Sequence, residues 1–264
     1  MLMPVVAIAL TIPRNISTNI MYSHNQSSSH SSSQSNDSNA KRLKVLQWNC
    51  QGARNKLPTL QHEGINYILC LQESLLHDTN SFYLKGFRIV RKDITGPGQR
   101  GICTCIGNNI CYFVTDLSDF EHPSIELLGV EIKVDNSPSI IVNIYRHPGV
   151  STPTGVFDKL FNYLSSFSLV LLVGDFNAHH PHWFNSYEDG SGKSLARIID
   201  NYNYIILNDE SPTLVLPPES RVSIIDLSIA SPNLVPLCLS KTLTDSWSSD
   251  HFPVVTAING LVSR

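Results

Sequence analysis

The sequence lacks any excess of positive charge. Its 264 residues contain 19 Lys and Arg against 22 Asp and Glu, which gives a formal net charge of −3. Proteins that hold nucleic acid by long-range electrostatics alone are strongly basic. If the ligand is a nucleic acid, its binding must therefore be local, or be assisted by a metal ion or a partner domain.

Cysteine pairs and long apolar segments are missing as well. The six cysteines form no Cys-x-x-Cys pair, which predicts reduced, structural thiols in an intracellular or nuclear protein. The N-terminal run MLMPVVAIALTIP is apolar, but it is too short to span a membrane and has no basic start of a secretion signal. We therefore expect no association with a membrane.

The chain has two segments of different composition. Residues 1–40 include a stretch rich in Ser, Asn and Gln, which offers almost nothing to bury and predicts disorder. Residues 41–264 have the composition of a folded domain and are numerous enough to bury a core without disulfides. The prediction is a disordered N-terminal segment followed by one folded domain.

Short apolar runs separated by Gly, Pro and Asn turns dominate the folded part. They predict strands at residues 43–48, 65–71, 87–90, 101–106, 110–114, 125–134, 140–145, 169–173, 222–229 and 254–258. Helical spacing of apolar residues occurs at 56–62, 155–165 and 193–200. Many strands with few helices predict an α/β or α+β sandwich, and the pattern leaves its topology open.

Polar side chains stand at the ends of four apolar runs. These side chains are Asn49, Glu73, Asp175, Asn177, Asp250 and His251. A single Asp after a strand is more often a turn or cap residue. Rigid strand ends, however, can direct several side chains into one crevice. The repetition at four separate runs therefore favours a functional site.

The residue types in this set suit the cleavage of a phosphodiester. Carboxylate oxygens such as those of Glu73 and Asp250 are the ligands that Mg²⁺ prefers. An uncharged amide beside them orients a water or a phosphate oxygen without adding repulsion. A histidine next to an acid, as in His251, can donate to a phosphoryl oxygen or transfer a proton. The pattern predicts a metal-assisted phosphodiesterase.

A second group of histidines, His179 and His180 followed by Pro181 and His182, admits two interpretations. Neighbouring side chains on an extended segment point to opposite sides, and catalytic zinc needs three convergent protein ligands. We favour a loop that packs beside Trp183 over a zinc site.

Taken together, the motifs resemble one family. In chain order they are QWNCQG (47–52), LQE (71–73), RG (100–101), IYR (144–146), GDFNAHH (174–180) with Trp183, ILND (206–209), SIIDL (223–227) and Trp247 with SDHFP (249–253). This set resembles the endonuclease/exonuclease/phosphatase (DNase I-like) superfamily, and within it the apurinic-like endonuclease domain of non-LTR (LINE-type) retrotransposons. The resemblance covers residues 42–258, and the combination of WNCQG, GDFNAHH and SDHFP is very specific.

The resemblance implies a fold, a reaction and partners. The implied fold is an α/β four-layer sandwich with two central mixed β-sheets flanked by helices. The implied reaction is magnesium-dependent nicking of target-site DNA, with manganese as a possible substitute. Related proteins continue into a reverse transcriptase domain, which we expect to act with this domain in a full-length element and to be absent from these 264 residues.

The resemblance also assigns the metal and DNA ligands. Glu73 is implied as the main magnesium carboxylate, with Asn49 and Asp250 near the same ion. The residues expected to contact DNA phosphates are Arg100, Arg146 and Arg221. Solvated surface charges are the alternative interpretation of these arginines.

The catalytic roles follow the same resemblance. Asp175 is implied to position or deprotonate the attacking water, and Asn177 to orient it. His251, held by Asp226, would stabilise negative charge in the transition state. Tyr145 would contact the scissile phosphate or the leaving group, although a strand-capping role for its side chain stays open.

Two other functions stay open on the sequence alone. A phosphatase of the same superfamily would use the same metal site, although NAHH with Trp183 and ILND favour the retroelement branch. A non-catalytic binding remnant would be expected to have lost one or more catalytic groups, whereas every implied group is present.

Overall fold

A computed structural model describes residues 42–62, 67–79, 81–94, 100–217, 220–260 and 262. The predicted disorder of residues 1–40 lies outside these ranges. The strands are β1 Leu43–Asn49, β2 Tyr67–Gln72, β3 Phe87–Lys92, β4 Ile102–Gly107, β5 Phe113–Thr115, β6 Ile125–Val134, β7 Ser137–Arg146, β8 Leu169–Asp175, β9 Ile205–Ile206, β10 Asp226–Ala230, β11 Cys238–Thr242 and β12 Val254–Ile258. The α-helices are α1 Leu57–Leu60, α2 Thr154–Leu164 and α3 Gly190–Asn201.

The strands form two six-stranded sheets. The first sheet has the order β11-β12-β1-β2-β4-β3, and the second has the order β5-β6-β7-β8-β10-β9. Each sheet contains one parallel pair, β1 with β2 and β7 with β8, and its other pairs are antiparallel. Both sheets are therefore mixed, and the predicted α/β sandwich with two central mixed sheets is confirmed.

The two sheets pack face to face because their central strands are apolar on both sides. Every residue of β8 is buried, as expected for a strand that is covered on both faces. In β1 the side chain of Val45 enters the core between the sheets, whereas Leu46 and Trp48 belong to a core on the outer face of the first sheet. This alternation follows from the two-residue period of a strand.

Helices cover the two outer faces unequally. In α2, Phe157, Leu160, Phe161 and Leu164 recur at helical spacing and pack against the outer face of the second sheet, together with α3. On the first sheet the helical cover within the described residues is the single turn α1, next to a 3-10 turn at Ala53–Lys56. None of the described helices has the length and apolar character needed to cross a bilayer.

Strands β5 and β10 begin three and four residues later than predicted, because turns and side chains take up the backbone hydrogen bonds of the residues before them. Ile110 donates its N–H to the carbonyl of Gly107 in a turn, so that β5 begins only at Phe113. Before β10, the carboxamide of Asn185 pairs with both backbone groups of Ile224. The chain joins the sheet at Asp226, four residues later than predicted.

Two edge strands, β9 and β11, were not predicted. β9 has only two residues. β11 reads CLSKT and alternates between exposed and partly buried positions, since it pairs with β12 alone. Short edge strands of mixed polarity resemble loops in sequence, because only one neighbour stabilises them.

Candidate active site

The polar residues at the strand ends meet at one end of the sandwich. Asn49 is the last residue of β1, and Glu73 follows the last residue of β2. In the second sheet, Asp175 ends β8 and is paired with Tyr145 of β7 on one side and Asp226 of β10 on the other. Because β10 runs antiparallel to β8, its first residue lies beside the last residue of β8. The topology thus brings five predicted site residues to one cleft.

Asn49 connects the two sheets across this cleft. Its Nδ2 donates to Glu73 Oε1 at 3.2 Å and to Asp175 Oδ2 at 3.0 Å. These two carboxylate acceptors fix which end of the carboxamide is nitrogen. The Oδ1 atom is buried and has no hydrogen-bond partner among the described residues. An acceptor left over in this position suits a cation or a water molecule.

Glu73 is held in an unusual backbone conformation. Its φ of +47° lies in the left-handed region that residues other than glycine seldom adopt. Its Oε1 accepts a hydrogen bond from Tyr145 Oη at 2.8 Å and lies 3.8 Å from Arg100 Nε. Burial and the charge of Glu73 raise the pKa of Tyr145 well above its usual range. Tyr145 is therefore a neutral hydrogen-bond donor in this cleft.

His251 lies between two acids. Its Nδ1 is 2.8 Å from Asp226 Oδ2, and its Nε2 is 3.9 Å from Asp175 Oδ2. Burial opposes protonation of the imidazole, but the charge and hydrogen bond of Asp226, with the charges of Asp175 and Asp250, outweigh it and raise the pKa to about 10. The imidazole is thus protonated at neutral pH and offers an N–H on the side of Asp175.

Asp175 is fully enclosed. Burial, followed by the charge of Asp226, raises its pKa to about 7, while His251 and the donors Asn49 and Asn177 lower it. A carboxyl group in this range can accept a proton near neutral pH. The neighbours Asp175 and His251 are therefore suited to opposite tasks, proton acceptance and charge stabilisation.

The donor atoms in the cleft fit a hard divalent cation. Asp175, Asp226 and His251 place potential ligand atoms within 4.8 Å of one another. Protonated imidazole has no lone pair for a metal, however, and Mg²⁺ prefers oxygen ligands. The unpartnered Asn49 Oδ1 and the carboxylate of Glu73 offer such oxygens. A magnesium ion on this side of the cleft stays a prediction.

Asp250 is more exposed than the other predicted metal ligands. Half of its side chain, 52%, is accessible, and its Oδ1 lies 3.6 Å from His251 Nε2. Its backbone carbonyl accepts a hydrogen bond from Val215. Asp250 is thus at the rim of the cleft, with a carboxylate that is free to turn toward an ion.

Asn177 touches Asp175 through its backbone. Its N–H donates to Asp175 Oδ1 at 2.9 Å, and its side-chain Nδ2 donates to the carbonyl of Arg146 at 2.8 Å. The φ of Asn177 is +44°, again left-handed. Asn177 thus orients the carboxylate of Asp175 in this structure, while the predicted contact of its amide with a water stays a prediction.

The predicted phosphate contact of Arg146 needs correction. Its side chain is buried, and its guanidinium donates to four backbone carbonyls, those of Phe176, Asn177, His147 and Val150. The burial lowers the pKa of Arg146. Arg146 fastens the loop after β8 to the end of β7, and its donors face this loop rather than a ligand.

The other two predicted DNA ligands are accessible. Arg100 is one-third exposed beside Glu73. Its hydrogen bond with Tyr145 raises the pKa of the guanidinium further. Arg221 is exposed, and its guanidinium lies 5.8 Å from the ring centre of Tyr187, which in turn stacks on His179. Arg100 thus belongs to the cleft and Arg221 to a neighbouring loop surface.

His179 and His180 point to different partners. The ring nitrogens of His179 contact Asp189 at 2.8 Å and Ser223 at 3.1 Å. His180 contacts Glu188 and packs on Trp183 with ring centres 5.2 Å apart. These contacts agree with the interpretation of GDFNAHH as a loop that packs beside Trp183.

Two glycines permit this loop to pass closely over the sheet. A Cβ at Gly174 would lie 1.8 Å from the carbonyl oxygen of Ile144, and the φ of Gly174 is +148°. A Cβ at Gly192, in the first turn of α3, would lie 1.8 Å from the carbonyl oxygen of His179. Both positions exclude any side chain, which explains why GDFN begins with glycine.

Lys56 is a site residue that the sequence did not reveal. Its Nζ donates to the carbonyls of Trp247 and Ser248 at 2.9 and 2.7 Å. These two residues have φ values of +51° and +62° and lead directly into Ser249-Asp250-His251. In sequence Lys56 resembles an ordinary surface lysine, because its burial depends on a turn nearly 200 residues away.

Comparison with known proteins relates this chain to mobile elements. A family model described as endonuclease-reverse transcriptase matches residues 139–255. A probable RNA-directed DNA polymerase from transposon BS of Drosophila melanogaster is 24% identical over 225 residues, which are 82% of this chain and 24% of that protein. The RNA-directed DNA polymerase from mobile element jockey of Drosophila funebris is 22% identical over 200 residues, 74% of this chain and 21% of that protein. The chain thus spans about a quarter of the length of these relatives.

Solved structures share the fold. The endonuclease domain of TRAS1, a telomere-specific non-LTR retrotransposon, matches with a TM-score of 0.63 and 19% identity, covering 83% of this chain and 98% of that one. The AP endonuclease LMAP from Leishmania major matches with a TM-score of 0.68 and 16% identity, covering 84% and 89%. The solved structures thus share the fold, and the family model and the mobile-element relatives confirm the family resemblance that the sequence motifs predicted.

Proposed function

We propose, on the premise that the chain belongs to the endonuclease/exonuclease/phosphatase superfamily and to its non-LTR retrotransposon branch, that it is a magnesium-dependent endonuclease that nicks DNA. The observation that carries the proposal is the Asp226–His251 pair, which lies against Asp175 and opposite Asn49 and Glu73 in one cleft. Phosphodiester hydrolysis requires a proton acceptor, a hydrogen-bond donor that stabilises the negative charge of the transition state, and oxygen ligands for a metal ion.

The reaction follows from the charge state of each residue. Asp175, with a pKa of about 7, accepts the proton of the attacking water. His251, protonated and held by Asp226, donates its Nε2–H to the phosphate oxygen on which negative charge grows. Tyr145 is neutral, and its single O–H, which donates to Glu73 Oε1, would serve as a further donor to the phosphate once Glu73 turned to a metal ion. Glu73, Asn49 and Asp250 would hold Mg²⁺, which would further neutralise the phosphate charge when bound.

The substrate class follows from the relatives and from the surface. The relatives are RNA-directed DNA polymerases of mobile elements, which supports a DNA target and a reverse transcriptase domain as the partner in a full-length element. A net charge of −3 provides little general attraction to DNA, so that local contacts in the cleft must hold it. Activity on DNA targets implies a nuclear location.

A plasmid-nicking assay with the full chain tests the proposal. In Mg²⁺, supercoiled plasmid should become open circular, and chelation should stop the reaction. Asp175→Ala and His251→Ala should lose nicking, whereas Lys159→Ala, on the exposed side of α2, should retain it. Equal nicking by all four proteins would refute the proposal. Turnover of a small phosphate ester without DNA cleavage would instead identify a phosphatase with the same metal site.

A further inference from the structure

A second carboxylate–imidazole pair lies in the same cleft. Glu126 in β6 is paired in register with Tyr145 of β7, so its side chain is on the cleft side of the second sheet. His147 follows the last residue of β7, and its Nε2 is 2.8 Å from Glu126 Oε1. Neither residue belongs to a motif that the sequence singled out.

The two members of this pair differ in exposure. The side chain of Glu126 is 2% exposed, and that of His147 is 20% exposed. The carboxylate therefore lies behind the imidazole, which faces solvent at the cleft. Both carboxylate oxygens of Glu126 are buried, and neither has a hydrogen bond of good geometry among the described residues, although Oε1 is within ion-pair distance of His147. A buried carboxylate so poorly satisfied is costly to a fold, which argues against a purely structural role.

The pair repeats the arrangement of Asp226 and His251. In both pairs a carboxylate of the second sheet lies 2.8 Å from an imidazole that is more exposed than the acid. The strands β10 and β6 that carry the acids stand on either side of β7 and β8. Strands are about 4.8 Å apart, so Glu126 lies about 10 Å from the strand of Asp175. The second pair is therefore too far away to contact the phosphate that the water activated by Asp175 attacks.

The imidazole of His147 is held in place. Its backbone N–H donates to the carbonyl of Ser124 at 2.8 Å, and its ring packs edge-on against Tyr145 with centres 4.9 Å apart. Its Nδ1 has no hydrogen-bond partner in the described part of the chain. With Nε2 directed at Glu126, the imidazolium form can donate only from Nδ1 to a ligand.

We propose that His147, oriented by Glu126, binds the phosphodiester that neighbours the scissile one in the DNA strand. His147 is the contact residue of this subsite, and Glu126 is its positioning residue. The subsite rests on the proposed nuclease function and gives the cleft a further hydrogen-bonding contact for the DNA backbone.

A thermodynamic cycle between protein and substrate tests this subsite. The substrate is a duplex with one mapped nick site, in which single phosphodiesters next to the nick are replaced, one at a time, by uncharged methylphosphonates. For wild-type protein, one replacement should raise KM on the order of tenfold, as expected for loss of one charge-assisted hydrogen bond. His147→Gln should raise KM on the unmodified duplex by a similar factor, with kcat little changed.

The decisive result is the combination of the two changes. The methylphosphonate that raises KM for wild type should not raise KM further for His147→Gln, because the methylphosphonate and the substitution remove the same contact. Glu126→Gln should show the same position-specific loss in weaker form, and Lys159→Ala should behave as wild type.

The contrary outcomes separate the two proposals. If wild type nicks the unmodified duplex but every methylphosphonate raises KM by the same factor for wild type and for His147→Gln, the subsite is refuted and the nuclease function stands. A uniform loss of kcat on all substrates would show that His147 only supports the fold, and also refutes the subsite. If wild type neither binds nor nicks DNA, both proposals fail.

Discussion

The two sheets contribute to the cleft in different ways. In the second sheet, Tyr145, Asp175 and Asp226 occupy three adjacent strands, with positions set by backbone pairing alone. In the first sheet, Glu73 has a left-handed backbone, and His251 follows a turn with two more left-handed residues. The second sheet is thus a regular frame, whereas the first sheet presents Glu73 and His251 on irregular loops.

Side-chain hydrogen bonds compensate for this irregularity of the first sheet. Ser249 Oγ donates to the carbonyl of Asn49 at 2.8 Å, and Trp48 Nε1 donates to the carbonyl of His251 at 3.0 Å. Lys56 holds the turn before them. Loop conformations of this kind persist only where the surroundings fix them. Damage to the frame should therefore affect chemistry alone, and damage to the loop supports should affect both chemistry and stability.

The largest effect should come from Asp175→Asn in the frame. The change removes the proton acceptor but keeps the size of the side chain, so nicking should fall by about 10²–10³-fold. Because burial disfavours the ionised carboxyl, as its pKa of about 7 shows, the variant should be as stable as wild type or more so at pH 8.

Nicking rate and urea unfolding of the same preparation check this prediction. Asp158→Asn, an exposed acid of α2, is the matched control for the loss of one carboxylate. A variant that loses stability in proportion to activity would contradict the division into frame and loops.

Asp226→Asn should have the next largest effect. Without the charge of Asp226, burial dominates, and the pKa of His251 should fall from about 10 toward or below its ordinary value. Nicking at pH 8 should fall about 100-fold and recover in part toward pH 6, where the imidazole regains its proton. An NMR titration of the His251 ring in wild type and variant measures the shift directly. An unchanged titration would refute the role assigned to Asp226.

Lys56→Met tests the loops of the first sheet instead of the frame. It removes both hydrogen bonds to the turn at Trp247 and Ser248 while keeping an apolar stem of similar length. We expect nicking to fall about tenfold and the free energy of unfolding to fall by about 1–3 kcal/mol, because two carbonyls lose their donor. Lys159→Met is the control. A loss of activity without loss of stability would place Lys56 among the chemical groups instead.

The same contrast between frame and loops explains which elements could be predicted from the sequence. The strands of the frame have strong apolar patterns, so β6 was predicted at its observed bounds and Asp175 at the end of its strand. In the first sheet, β12 has a similarly regular pattern and was also predicted at its observed bounds. The roles of the site residues came from motifs and stay predictions. Lys56 and the Glu126–His147 pair were not found, because burial and pairing between distant segments leave no local pattern.

Arg146 shows why a motif alone misleads. It follows Tyr145 in the matching IYR segment, and the positive charge suggested a DNA phosphate. Alternation along β7, however, turns Arg146 to the face opposite Tyr145, where backbone carbonyls of the GDFN loop take up its donors. A sequence shows that a charged side chain is present, but the fold determines on which face of the strand it lies and which groups it contacts.

The smallest expected effect concerns pH and joins the two regions, since His251 belongs to the loops and Asp226 to the frame. The raised pKa of His251 means that the folded protein binds a proton that the unfolded chain releases above pH 6.5. This contribution to stability is present below pH 6.5 and is lost as the pH rises toward 10. Asp175 acts in the same direction between pH 3.8 and 7. Chelated wild-type protein should thus lose unfolding free energy steadily between pH 6 and pH 8.5.

Urea unfolding at the two pH values measures this loss, and His251→Gln provides the comparison. The variant lacks the titrating ring, so most of its dependence above pH 7 should vanish. If wild type and variant lose equal stability over this interval, other groups carry the linkage, and the protonated state assigned to His251 would be wrong. The ion pair between loop and frame would then be weaker than the 2.8 Å separation of Nδ1 and Asp226 Oδ2 indicates.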